Sequence, residues 1–320
     1  MVHARNGHAL NGLVATIRSA PSWTSKTHIA AVRDAFGPSD WLRGPGDDGA
    51  VVSVGGENVI ACGEAILPAF VERDPYGAGI AAVLTNVNDV AAMGAVPVAI
   101  VDTIVGPEDT YRPVLDGLRF ASELYDVPVV GGHLTKSADR VALSAFAVGR
   151  CAGPSLSATR VAPGQRLALI ACLQGRMRSD FPFFPSFDER GRELADDVRL
   201  LAALAADGAV VAAKDVSMAG LFGSLAMLLE PTRCGASIAV DSIPVPDGVA
   251  FDAWVLCFPC FAFLVTTAPE DEGRCRREVE RRGLTYAPLG ELDDSGVLEL
   301  TGAGRAAVLV DLNTEAVTGL

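Results

Sequence analysis

The chain has 320 residues, half of them hydrophobic and a fifth charged, with a formal net charge of −13 at pH 7. That is enough chain for two domains with separate cores, and its acidic balance excludes a general nucleic-acid binder, which needs a basic stripe. No stretch approaches 18 uninterrupted apolar residues, and the N-terminal MVHARNGHALNGLVATIRSAPSW is broken by Asn, Gly and Arg, so neither a transmembrane helix nor a signal peptide is expected and the protein reads as cytoplasmic.

In chain order, a short helical stretch around Leu10–Arg18 and a helix from Ser25 to Phe36 come first. RGPGDDGAVVSV then carries two adjacent carboxylates into a β-branched run. ENVIACGEAIL follows across Gly55-Gly56, which predicts a hairpin. From Asp74 to Pro97, DPYGAGIAAVLTNVNDVAAMGAVP reads as a turn, a helix and a stop at Gly94 and Pro97. This helix is apolar almost all round, which predicts burial, yet it carries Thr85, Asn86, Asn88 and Asp89. VPVAIVDTIV reads as buried strand, Glu108–Tyr125 as helix, and DVPVVGGHLTKS as a strand running into a glycine pair. Another strand, VALSAFAVGR, precedes the turn-rich GPSLSATRVAPG, where a domain boundary is expected.

The second half restarts with the strand QRLALIACL and a loop holding Phe181, Phe183, Phe184 and Phe187. An amphipathic helix is expected from Glu189 to Ala206, then the strand-to-turn AVVAAKDVSMAG and the helix LFGSLAMLLE. AWVLCFPCFAFLV reads as buried strand, EDEGRCRREVERRG as a charged helix, and short strands close the chain. Seven scattered cysteines fit reduced core thiols; Cys257 and Cys260 form a C-x-x-C without a second pair at zinc spacing. The fold class predicted is α+β, in two domains, 1–155 and 156–320.

Carboxylates recur where strands end: Asp47-Asp48, Glu64 and Asp215, the last beside Lys214. With Asp89 they offer oxygen ligands of the kind that hold Mg²⁺ or Mn²⁺ against phosphate. For each residue a structural role stands beside the chemical one. GDDG also suits a hairpin turn, Asp89 a hydrogen-bonded core carboxylate, and Gly131-Gly132-His133 either a turn or a close approach to a ligand.

Together and in order, GDDGAVV (46–52), DPYGAGIAAVLTNVNDVAAMGAVP (74–97), VVGGHLTKS (129–137), APGQRLALI (162–170) and KDVSMAGLFGSLAMLLE (214–230) resemble the ATP-binding superfamily of aminoimidazole ribonucleotide synthetase. That superfamily includes selenophosphate synthetase, thiamine-monophosphate kinase and a hydrogenase maturation dehydratase. The resemblance implies two α+β domains and a homodimer formed through the N-terminal sheet. It also implies ATP with Mg²⁺ as cofactors and transfer of the γ-phosphate to a small-molecule acceptor. By position it makes Asp48, Glu64, Asp89 and Asp215 metal ligands, puts Asp47 and Asn86 in the nucleotide lining, and brings a loop containing Gly131, Gly132, His133 and Thr135 to the phosphates.

Three departures stand out. Gly63-Glu64 replaces the Thr-Asp of many relatives. Residues 1–45 hold no cysteine and one lysine, Lys26, so the segment that serves selenium chemistry has no match. Met218 stands where several relatives carry Asp or Gly. The expectation is an ATP-dependent phosphotransferase or synthetase of unassigned acceptor. The alternatives are a non-catalytic nucleotide-binding regulator of the same fold and a C-x-x-C redox or metal protein.

Overall fold

A computed structural model describes residues 7–320 as a chain that forms two compact units, neither of which is a contiguous half. One comprises Asp48–Ser155 with Arg190–Ala206; the other comprises the chain up to Asp47, Leu156–Glu189 and Asp207–Leu320. The crossing at Ser155 lies at the expected boundary. The division into 1–155 and 156–320 is nevertheless redrawn, because residues up to 47 and 190–206 each pack with the opposite half.

Ahead of the first sheet come α1 (Gly7–Ser19), α2 (Pro21–Thr24), a 3₁₀ turn (Ser25–Ile29) and α3 (Ala30–Phe36). The Asp48–Ser155 unit runs β1 (Ala50–Val54), β2 (Glu57–Ile66), α4 (Pro68–Arg73), α5 (Pro75–Ala92), β3 (Ala95–Gly106), α6 (Glu108–Tyr125), β4 (Val129–Lys136) and β5 (Ala142–Cys151). Among the described residues these strands form one sheet in the order β1-β2-β5-β3-β4. Gly55 and Gly56, at φ +60° and +90°, make the two-residue hairpin between β1 and β2 that the sequence predicts.

Then follow β6 (Arg166–Ala171), β7 (Phe183–Phe184), α7 (Phe187–Arg190), α8 (Glu193–Asp197) and α9 (Leu200–Ala206). The single helix expected from Glu189 to Ala206 is therefore three short ones. Gly191, at φ +50°, breaks the first join, and the buried Arg190 guanidinium clamps the turns by donating to Asp197 at 2.7–2.9 Å. The remaining elements are β8 (Ala212–Asp215), α10 (Gly220–Leu229), β9 (Gly235–Ala239), α11 (Phe251–Val255), β10 (Phe258–Pro259), β11 (Ala262–Thr267), α12 (Glu272–Arg281), β12 (Thr285–Asp293), β13 (Val297–Gly302) and β14 (Arg305–Asp311). Their larger sheet has the order β14-β13-β9-β12-β6-β11-β8, and β7 pairs with β10 beside it. AWVLCFPCFAFLV is not one strand: it ends α11, then forms β10 and β11.

In that unit Phe184 is fully buried and meets Trp254 edge-on at 5.3 Å, a core plug, while half-buried Phe183 touches Phe258 and Phe187. Cys257 and Cys260 are buried thiols, in no disulfide among the described residues, on either side of β10. Burial pushes the pKa of each up to about 12, and the Cys260 sulfur accepts the Ser186 N–H at 3.2 Å.

In the Asp48–Ser155 unit α5 lies between the sheet and the helices α6 and α9, which is why it is apolar around its circumference. Asp74 caps its N-terminus by accepting from Gly77 N at 2.8 Å, and Gly94 at φ +72° ends it. The crossing with α6 is a backbone contact. A methyl on Gly79 would strike the Val114 carbonyl oxygen, and one on Gly117 would strike that of Tyr76.

The opposite face of this sheet exposes apolar side chains: Val52 46%, Val54 59%, Val101 42%, Phe146 47% and Val148 44%. Phe146 lies across Gly63, where an added methyl would run into its ring.

Gly117→Ala should destabilise this unit by about 1–3 kcal/mol in urea denaturation, because backbone cannot yield to the added methyl. Gly12→Ala on α1, where a methyl meets nothing within 4 Å, should be neutral or slightly stabilising.

Candidate functional site

The polar residues of α5 gather toward its C-terminal half. Thr85 Oγ1 donates to Ala81 O at 2.9 Å and Asn86 Nδ2 to Ala82 O at 2.8 Å, so both are fixed to the preceding turn. Asn86 is fully buried, and its Oδ1 and main-chain oxygen accept from the Cys62 thiol of β2 at 3.5 and 3.6 Å. One turn further on, Asp89 is 6% exposed. Its carboxylate and that of half-buried Asp48, just ahead of β1, bring oxygens within 4.8 Å of each other. Glu64, exposed, shares the Cys62 face of β2 two residues on. Burial first, then the charges of Asp89, Glu64 and Asp48, drive the Cys62 pKa far above its ordinary value. The thiol stays protonated, and the group offers hard carboxylate oxygens, the donor set of Mg²⁺ or Mn²⁺ and not of a thiophilic metal.

Asp47 is occupied otherwise. Its carboxylate accepts from Ser157 Oγ at 2.6 Å and Ala158 N at 2.9 Å, in the other unit to which it belongs. Burial raises its pKa, against those hydrogen bonds and the charges of Lys214 and Arg160. Asp215, 2% exposed, ends β8 in the same unit.

The glycine pair corrects the expected loop. β4 continues through it to Lys136, paired parallel with β3 so that Val101, Asp102 and Thr103 face Gly131, Gly132 and His133. Alternation then separates the run. Gly132 lies in one cross-strand row with Asp102, Ala145 and Glu64, on the helix-covered face. Gly131, His133 and Thr135 lie on the apolar outer face with Val101 and Phe146. His133 and Thr135 are thus not brought together with Asp89.

Sequence reasoning missed Asp102, and it named Lys214 beside Asp215 without their pairing. Lys214 donates to Asp215. Asp102, 7% exposed, is hidden in the β-branched run of β3 and has no hydrogen-bond or ion-pair partner among the described residues; a Cβ on Gly132 would lie 2.7 Å from its Oδ2. Burial raises its pKa. The available signal was a lone carboxylate inside an otherwise apolar strand.

The chain belongs to the AIR synthase related protein family: the N-terminal domain of that description matches residues 46–151 and the C-terminal domain residues 185–303. An uncharacterised protein of Synechocystis sp. is 30% identical over 279 residues, 86% of each chain. The fold is similar to that of T. maritima PurL complexed with ADP, with a TM-score of 0.73 and 20% identity over 95% of this chain and 53% of that one. It is also similar to AaThiL complexed with AMPPCP and TMP, with a TM-score of 0.68 and 18% identity over 87% and 93%. The chain therefore spans about half the length of the PurL chain it matches.

Asp102 carries a pH signature. A carboxyl whose pKa is raised in the folded state imposes no penalty below its unfolded value. The penalty grows as pH rises through the folded value and is complete above it. Asp102→Asn should therefore melt above the parent at pH 7.5, with the gap closing as pH falls to the ordinary carboxylate range.

Proposed function

We propose that this chain is an ATP- and Mg²⁺-dependent phosphotransferase or synthetase that activates a small-molecule acceptor with the γ-phosphate of ATP, Mn²⁺ serving in place of Mg²⁺. The observation that carries the reading is the convergence of the Asp48 and Asp89 carboxylates beside Glu64 at the polar end of an enclosed helix. The proposed metal ligands are Asp48, Glu64 and Asp89 in one unit, and the family resemblance proposes Asp215 as a metal ligand in its own unit. A bound Mg²⁺ would supply neutralisation of the triphosphate charge.

The chain's own contribution is positioning. Asp89 stands on a helix enclosed by sheet and helices, so its carboxylate is held ready with little freedom to lose. Asn86 fixes Cys62, and the protonated thiol adds no negative charge. Glu64, exposed and longer than the Asp of many relatives, has the reach to follow a bound ion. Asp47 anchors the turn next to Asp48. Of the Gly131–Thr135 run, Gly132 is the member on the Glu64 face, where it packs against Asp102. PurL complexed with ADP and ThiL complexed with AMPPCP and TMP support nucleotide use together with a small acceptor. We assign no particular acceptor.

The same proposal includes a homodimer through the outer face of the five-stranded sheet, since a contiguous apolar band of this kind marks an association surface. Val148→Lys should fold normally and halve the mass seen by light scattering at micromolar concentration. A parent protein that is already monomeric would remove the dimer.

Asp89→Asn keeps shape and removes charge. It should leave metal-free stability unchanged or slightly higher, while Mg²⁺-dependent ATP binding weakens at least about tenfold, roughly 1.4 kcal/mol. Loss of metal-free stability with normal Mg-ATP binding would make Asp89 a structural carboxylate. Tight Mg-ATP binding by the parent without turnover across candidate acceptors, followed by phosphorus NMR, would favour a nucleotide-binding regulator instead.

A further inference from the structure

Lysine is rare in this chain. It occurs at positions 26, 136 and 214, and the other 23 of the 26 basic residues are arginine. Lys136 is exposed and Lys26 half-buried, whereas Lys214 is 8% exposed. It lies in β8, and its Nζ donates to Oδ1 of the next residue, Asp215, at 2.5 Å; the two side chains are 10% and 3% exposed. Adjacent residues of a strand point to opposite faces, so the flexible arm of Lys214 bends around the strand end to make this bond. Its charge also acts on the Asp47 carboxyl of the same unit.

A guanidinium would grip a carboxylate with two fixed N–H donors, whereas an ammonium is a compact point charge on a mobile stem. At this position the chain departs from its otherwise arginine-rich usage and carries the cation that can let go. A buried carboxylate deprived of its counter-charge is costly, and a divalent ion at the same oxygen would repel the ammonium at close range.

We propose that the Lys214 ammonium is a built-in counter-cation, which holds Asp215 while no metal is bound and which a divalent ion must displace. It stabilises the metal-free protein and sets a weak metal affinity. This rests on the assignment of Asp215 as a metal ligand in the proposed function.

The test is Mn²⁺ binding to the purified full chain, followed by electron paramagnetic resonance of the free ion, with thermal melts in parallel. Lys214→Met should lower the melting temperature of the metal-free protein, tighten Mn²⁺ binding at least about tenfold, and enlarge the Mn²⁺-induced rise in melting temperature. Lys214→Arg, which keeps the pair and guards against a misfolded Met variant, should fold normally and bind Mn²⁺ more weakly than the parent. Asp215→Asn separates the two layers of the argument. If it abolishes Mn²⁺ binding while both Lys214 variants bind like the parent, the counter-cation is overturned and the metal site stands. If Asp215→Asn binds Mn²⁺ like the parent, Asp215 is no ligand and both fall.

Discussion

The contact on which the Asp48–Ser155 unit depends is the backbone crossing of α5 and α6 at Gly79 and Gly117. Two helices that meet without side chains between them lie closer than the usual 8–10 Å between axes. α5 can then be covered by α6, α9 and the sheet at once. Enclosure makes every polar group on the helix expensive unless it is bonded. Thr85 and Asn86 meet that demand within the helix itself, by bonding to carbonyls one turn back. Asp89, 6% exposed, carries a negative charge into the same enclosure. In the proposed function, a cation completes the place where Asp89 stands with Asp48 and Glu64.

Much of this was legible in the sequence because the signals were local. The turn at Asp74, the stop at Gly94, the Gly55-Gly56 hairpin and the bounds of α6 all follow from residue types within a few positions. What failed was non-local. The stretch from Glu189 to Ala206 has helical periodicity, but its breaks depend on Gly191 and on a buried Arg190–Asp197 clamp that pattern alone does not reveal. The strand through Gly131-Gly132 exists because β3 pairs with it, which overrides the turn preference of two glycines. Once that register is set, adjacent residues part company: Gly132 joins Glu64, and His133 turns to the other side of the sheet. A resemblance in sequence names both residues without separating their faces.

Asp102 and Lys214 mark a second limit. Each is a single letter in an apolar strand, and spacing reveals neither its burial nor its partner. Their meaning comes from the partner each has or lacks: Asp102 faces a glycine and has no donor among the described residues, while Lys214 bends to its own neighbour. The two are opposite solutions to one problem, since burial favours the neutral form of one carboxylate and the other is paired with a cation.

The interleaving of the two units has a consequence for how the protein is made. α9 covers α5, yet it is encoded some fifty residues after the last strand of the sheet that α5 packs on. During synthesis the first unit emerges with a strongly apolar helix face uncovered, and it stays so until residues 190–206 have left the ribosome. The unit built on the strands from Ala50 to Cys151 is therefore complete only once residues 190–206 have been added. It waits, partly open, on a segment that arrives in the middle of the other unit, and that interval is when the nascent chain has most need of a chaperone.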